Sequence, residues 1–340
     1  MRDAGSLIAK LRRVWVDARL RRITNVSVAV AIIISMLAAD AGWSQAARTI
    51  RIIVTLAPGG AVDFLARVLA EQVGRQQAIT TVVENRPGAG TVIGTEAVSR
   101  AVPDGSTVML TDSSFVVSPH LRKVTYDPLN AFEPICDLAS VPTLIAVNSE
   151  SPYRTLAELL DAARAKPGEL TLATPGPATV FHIWFEKFKR AANVDMTYIP
   201  YTGGGPVLNA LLGGHVTSIL NSYSTSSAQL KAGKLRALAT ATLTRIEPLP
   251  DVPTVAEFGY QNTEVDFWIG LFAPAKTPKQ TVSQLAAWFI AALQVPEVKA
   301  KLEDQGVYPV VKCGIDFDAL IRKQYQEYGQ VIRETNIKVE

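Results

Sequence analysis

Residues 54–72, VTLAPGGAVDFLARVLAEQ, run from a strand-like stretch through a glycine pair into an amphipathic helical pattern. Gly59 and Gly60 lack Cβ, so the backbone after Ala57 can turn tightly and approach a ligand. The N–H groups of Ala61, Val62 and Asp63 fall in the first turn of the expected helix, where no intrahelical acceptor exists. An anionic oxygen would satisfy them. A plain strand-to-helix turn in which Asp63 caps its own helix accounts for the same residues, so the pair alone does not decide.

A second turn of this kind is TPGPAT, residues 174–179, again between a strand and a helix. Thr174, Gly176, Ala178 and Thr179 form it, Ala178 and Thr179 offer N–H groups, and His182 stands at the start of the following helix. Two anion sockets, one on each of two α/β units, would face each other across a cleft where parallel strands end. Three charge-assisted hydrogen bonds at about 1.5–3 kcal/mol each suffice for micromolar binding after the costs of closure, with no Arg or Lys in the pocket. The TDSS stretch adds hydroxyls from Thr111, Ser113 and Ser114, and Asn221 follows the strand-like VTSIL.

GAGTVIG, residues 88–94, resembles a dinucleotide fingerprint, with Asp112 placed as a ribose-binding acid would be. Its spacing is GxGxxxG instead of GxGxxG, and ENRP separates strand from glycine, so a cofactor-dependent enzyme stays an alternative only. There is no GxSxG elbow and no HExxH, and His120, His182 and His215 are scattered. Neither a catalytic residue nor a metal or other cofactor is expected. Cys136 and Cys313 stand far apart in no CxxC pattern; two buried, unpaired thiols are expected, although an oxidising compartment would allow them to pair.

These loops need elements to hold them. RIIVTLA (51–57), ITTVV (79–83) and TVML (107–110) read as strands alternating with helical patterns, which argues for a parallel sheet with helices on both faces. The alternation resumes near residue 150, where Thr155 and Glu158 form a capping box, followed by strands at 170–173, 196–200, 216–220 and 235–241. Phe181, Trp184, Phe185 and Phe188 make one helical stripe that reads as core. VDFWIGLFAPA (265–275), a helix opened by Pro278, VYPVV (307–311) and a last helix remain, so the chain is expected to cross to a second domain and return. The expected division is 47–147 with 272–340 as the first domain and 148–271 as the second.

The 340-residue chain is 48% hydrophobic, enough for two cored domains. Seven basic and three acidic residues precede residue 47, which exceeds the whole formal excess of +3, so the body is slightly acidic and no nucleic-acid partner is expected. That leader has a basic stretch, an apolar run from Val26 to Ala39, and small-residue sites after Ala41 and Ala46. It reads as a secretory signal peptide (residues 1–46), cleaved for export to the periplasm; the run is short of the roughly 20 residues of a membrane span, which leaves an uncleaved anchor as the weaker alternative.

APGGAVDFLAR, VVENRPGAGTVIGTEAV, PDGST, TYIPYTGGGPVLNALLGG, LKAGKLRALA and LPDVPTVAEFGY, in this order over about residues 49–335, resemble the Bug family, the periplasmic solute-binding proteins similar to tripartite tricarboxylate transporter receptors. The resemblance implies a two-domain periplasmic-binding-protein-like fold of type II, with a carboxylate closed between domains joined by crossing strands. It implies a GGxxD loop, matched by Gly59, Gly60 and Asp63, and a second glycine- and serine-rich loop, here altered by Pro175 and Pro177, each of which removes a donor. The function expected is capture of a small organic carboxylate by a monomer that hands it to membrane transporter subunits or a sensor kinase. An exported adaptor that binds no ligand is a further alternative.

Overall fold

The computed structural model describes residues 49–265 and 267–337; the expected signal peptide and its cleavage sites lie outside them. Among the described residues no helix is long and apolar enough to cross a membrane.

Continuous apolar stretches become the inner strands of two sheets. The first sheet uses Thr49–Val54 (β1), Thr80–Asn85 (β2), Thr107–Asp112 (β3), Phe132–Ser140 (β4), Trp268–Pro274 (β10) and Tyr308–Cys313 (β11) in the order β11-β4-β10-β3-β1-β2. β3, buried at every position, lies inside, whereas β2, with alternating exposure, forms one edge. The second sheet uses Thr143–Asn148 (β5), Thr171–Thr174 (β6), Thr197–Pro200 (β7), Ser218–Ser222 (β8) and Leu235–Thr240 (β9) in the order β7-β6-β8-β5-β9.

Helices Ala61–Gln77 (α1) and Val92–Ser99 (α2) link β1, β2 and β3, while Val180–Ala191 (α5) and Gly204–Leu212 (α6) link β6, β7 and β8 in the same way. Between these come the short Ser118–Leu121 (α3) and Leu156–Ala165 (α4); Tyr223–Lys231 (α7), Lys279–Leu293 (α8), Pro296–Asp304 (α9) and Ile315–Thr335 (α10) complete the set. The sheets are mixed and not wholly parallel as expected. β10 runs antiparallel to β3 and β4, and β5 antiparallel to β8 and β9, because each of these strands enters its sheet from the other one. The two crossings lie side by side, with Val141 N–H donating to the Phe267 carbonyl at 2.9 Å.

The helix starts follow their capping chemistry. Thr155 Oγ1 accepts from Glu158 N–H at 3.2 Å, but the Glu158 carboxylate returns to the amide of Arg154 (2.6 Å) and not to that of Thr155. The stripe of Phe181, Trp184, Phe185 and Phe188 is buried in an apolar cluster that also holds Ile50 and Leu110 of the first sheet and Leu220 and Ala239 of the second. Trp184 stacks on Phe188 at 4.5 Å, and α10 packs against α5.

One expectation is overturned. Cys136 and Cys313 form a disulfide, since β11 lies antiparallel on β4 with Cys313 directly opposite Cys136. The spacing of 177 residues hides that pairing from any local reading. The bond ties the C-terminal part of the chain to the first sheet.

Candidate functional site

A cavity of about 870 Å³ opens where the parallel strands of both sheets end, within the size range of small-ligand sites. Each sheet contributes three strand-to-helix connections to its wall. From the first come residues 55–63 after β1, 87–91 after β2, and Asp112 and Ser114 after β3. From the second come residues 175–177 and Thr179 after β6, 200–206 after β7, and Ser222 and Thr225 after β8. Phe181 and Phe267, in edge contact at 5.3 Å, give it an apolar side.

The first turn of α1 meets the cavity with Gly60 at the N-cap and no side chain capping it. Asp63 does not serve the helix amides. Its Oδ2 accepts from Gly59 N–H at 2.9 Å, its Oδ1 accepts from Asn85 Nδ2 at 2.9 Å, and Arg67 pairs with it at 3.0 Å. Burial pushes this carboxyl up, but the Arg67, Gly59 and Asn85 contacts together hold it below the usual Asp value. Asp63 thus fixes the glycine turn, and the amides of Ala61 and Val62 face the cavity with no acceptor among the described residues.

In the second sheet the same office falls to a turn not singled out in the sequence as ligand-facing. Gly203, at φ +137, caps α6, again with no side-chain cap, and leaves the amides of Gly204 and Gly205 without a protein acceptor among the described residues. Asn221 supports this turn by donating from Nδ2 to the Gly204 carbonyl at 3.1 Å.

The 174–179 turn is closed on itself and on the first sheet. Thr179 Oγ1 and the Tyr198 hydroxyl both donate to the Gly176 carbonyl at 2.8 Å, and Tyr198 also bonds Thr174 Oγ1 at 2.9 Å. Val180 N–H donates to Ser114 Oγ at 3.3 Å, while the Ser118 hydroxyl reaches the carbonyls of Ala178 (3.1 Å) and Gly90. Ala178 sits at φ +58 against Gly90, where a Cβ on Gly90 would lie 3.2 Å from the Ala178 carbonyl oxygen.

Of the residues singled out in the sequence, Ala57, Gly59, Gly60, Ala61, Asp63, Ser114, Gly176, Thr179 and Asn221 line the cavity. Thr111, Ser113, Thr174, Ala178 and His182 do not. Thr111 instead bonds Thr55 Oγ1 at 2.7 Å, pinning the ends of β3 and β1. His182 is stacked flat on Tyr198 at 4.1 Å, and burial lowers its pKa to about 4. Asp112, 2% exposed, is raised to about 6 by burial, opposed by the N–H and hydroxyl of Ser114.

Sequence reasoning did not place the 201–206 turn, Arg122, Ser222, Thr225 or Phe267 on this cavity, and it weighed Gly88–Thr91 only as part of a dinucleotide loop. The triple glycine that opens α6, Gly203 to Gly205, carries the same signal as Gly59 and Gly60 and could have been found by it. Arg122 adds a cation to a pocket in which backbone donors alone were expected to suffice. No group of acidic, His or Cys side chains suited to a metal occurs among the described residues.

Residues 65–337 match the model of the tripartite tricarboxylate transporter family receptor. The chain is 32% identical to protein BugT of Bordetella pertussis over 94% of this chain and 98% of that one. Among solved structures it resembles an R. palustris protein determined with adipate (TM-score 0.81, 29% identity, 87% of this chain and 99% of that one). It also resembles MatC of Rhodopseudomonas palustris determined with bound malate (TM-score 0.75, 28% identity, 84% and 99%).

Proposed function

The chain belongs to the tripartite tricarboxylate transporter receptor family, and on that premise we propose that it is a periplasmic solute-binding protein that captures a small organic carboxylate between its two lobes. It then delivers the acid to membrane transporter subunits or to a sensor, acts as a monomer, and catalyses no reaction. The observation that carries this reading is the pair of uncapped helix starts, at Ala61–Val62 and at Gly204–Gly205, facing one cavity from opposite sheets. Four backbone N–H groups and two helix dipoles suit a carboxylate, whose oxygens accept in several directions. The adipate and malate held by the two solved relatives support the same class of ligand.

The two sheets support two bodies that close by bending at the paired crossings near Val141 and Phe267, with the first formed by the two ends of the chain and the second by its middle. Export follows from the leader and accords with the disulfide, which persists in an oxidising compartment. The test is native mass spectrometry of the purified protein followed by a thermal-shift screen of mono-, di- and tricarboxylates, amino acids, aromatic acids and nucleotides. A ligand at 100 times its Kd stabilises by about 2.7 kcal/mol, so an acid should raise Tm by several degrees. A shift with a nucleotide and with no acid overturns the reading.

A further inference from the structure

Among the described residues, two buried side-chain polar atoms in the cavity wall have no partner, Arg122 Nε and Thr91 Oγ1. Arg122, directly after α3, makes no ion pair and its side chain no hydrogen bond among the described residues, and its Nε is buried with no acceptor. Thr91, 3% exposed, is the N-cap of α2, yet its Oγ1 is buried and bonds nothing, not even its own helix. A buried donor without an acceptor is costly, and more so when it belongs to a charged group. The other charged residues in the wall, Asp63 and Asp112, are both matched: Asp63 by Arg67, Asn85 and Gly59, and Asp112 by Ser114. The unfilled demand in the cavity is therefore for negative charge.

The fold brings these two groups to one region. Ser118, at the start of the helix that Arg122 ends, bonds the Gly90 carbonyl, which fixes α3 against the turn that presents Thr91. That turn holds four consecutive residues at positive φ, Gly88, Ala89, Gly90 and Thr91 (+131, +50, +62 and +82). For Ala89 and Thr91 this conformation costs on the order of 1–2 kcal/mol each, and such strain gathers where a ligand is held.

We propose that Arg122 and Thr91 form a second acid-binding subsite in the cleft, so that the ligand is a dicarboxylate. One carboxylate lies on the amides of α1 and α6, and the other takes the Arg122 guanidinium and the Thr91 hydroxyl. This rests on the carboxylate reading of the cavity and names its ligand class: an acid with a second anionic group at the right reach is selected over a monoacid of equal length.

The test is calorimetric titration of the purified protein with α,ω-diacids from malonate to suberate and with the monoamide of each. The expected result is that the best diacid binds at least tenfold tighter than its monoamide. Arg122→Gln should cut the preference for diacid over monoamide to less than about threefold, and Thr91→Val should weaken the diacid by about threefold to tenfold and the monoamide less. Equal affinity of diacid and monoamide in the wild type, or a preference that survives Arg122→Gln and Thr91→Val, overturns the subsite but leaves the carboxylate reading standing. Failure of every diacid and monoamide to bind overturns both.

Discussion

The two halves of the molecule are wired alike and face the cavity differently. Strands β1-β2-β3 and β6-β7-β8 have the same order, the same two connecting helices and an antiparallel strand on the same side. In the first half the turn after β1 presents free amides, and the turn after β2 is a strained run ending in the unpartnered Thr91 Oγ1. In the second half the turn after β6 is closed by Tyr198, Thr179, Ser114 and Ser118, and the turn after β7 offers the amides. Equal topology thus fixes where turns converge, and side chains decide which turn is braced against its neighbours.

The halves also differ in their edges, and breaking this difference has the largest expected effect. Only the first sheet has a sixth strand, and it is held by the Cys136–Cys313 bond. Closing a loop of 177 residues corresponds to about 5 kcal/mol in the chain-entropy account. Reduction, or Cys313→Ser, should therefore lower stability by a few kcal/mol in denaturant titration. Neither cysteine lines the cavity, so carboxylate affinity well below Tm should hold within about twofold; a large loss would show that the edge strand shapes the site.

The exchange of turns is sharpened by two glycines. Gly60 and Gly205 lie at negative φ, and a Cβ on either meets nothing closer than 4.0 Å, so larger side chains there enter open space without backbone strain. Gly60→Leu and Gly205→Leu should each weaken carboxylate binding at least 100-fold, about 2.7 kcal/mol, with Tm nearly unchanged. Pro177→Ala, in the closed turn, should alter affinity by less than threefold. If Pro177→Ala matters and Gly205→Leu does not, the turn after β6 is the ligand loop.

Much of this was legible. Gly59, Gly60 and the helix after them stand together in the sequence, and their geometry follows from a strand, a missing Cβ and an uncapped helix start. The antiparallel entry of β10 and the Cys136–Cys313 bond were not, because both depend on strands paired across more than a hundred residues. How the 174–179 turn is held was hidden for a related reason: its Ala178 carbonyl and the Val180 amide that follows it are taken by Ser118 and Ser114, from the other half of the chain. Arg122 gave no signal, since a loop cation reads as solvated until its surroundings are known.

Ser114 tests whether the closure of the 174–179 turn is what separates the halves. Its hydroxyl takes the Val180 amide and also supports Asp112. Ser114→Ala should cost about 1–2 kcal/mol of stability, read as a Tm drop of a few degrees. It should also raise the Asp112 pKa further by removing a donor to the carboxylate, visible in an NMR titration. An unchanged Tm would mean that the Ser114–Val180 bond adds nothing to holding the halves together beyond the Ser118–Ala178 bond and the apolar contacts around α5.

Acid should have the smallest net effect, because the buried groups are of opposite sense: burial raises Asp112 and Glu186 and lowers His182 and His120. Asp112 in the first half is raised to about 6, so the fold prefers its proton, and its stabilising contribution is present at low pH and lost as pH rises from about 4 to 6. His182 in the second is lowered to about 4, so the fold rejects its proton, and its contribution is present above about 6.5 and lost as pH falls toward 4. Each is worth on the order of 2–3 kcal/mol over nearly the same window, and the two oppose each other. Denaturant titrations at pH 4.5 and 7 should therefore separate the variants: relative to wild type, Asp112→Asn gains stability toward pH 7, and His182→Phe gains it toward pH 4.5. Parallel shifts in both variants would show that neither group titrates as its burial dictates, and the two halves would then be electrostatically alike.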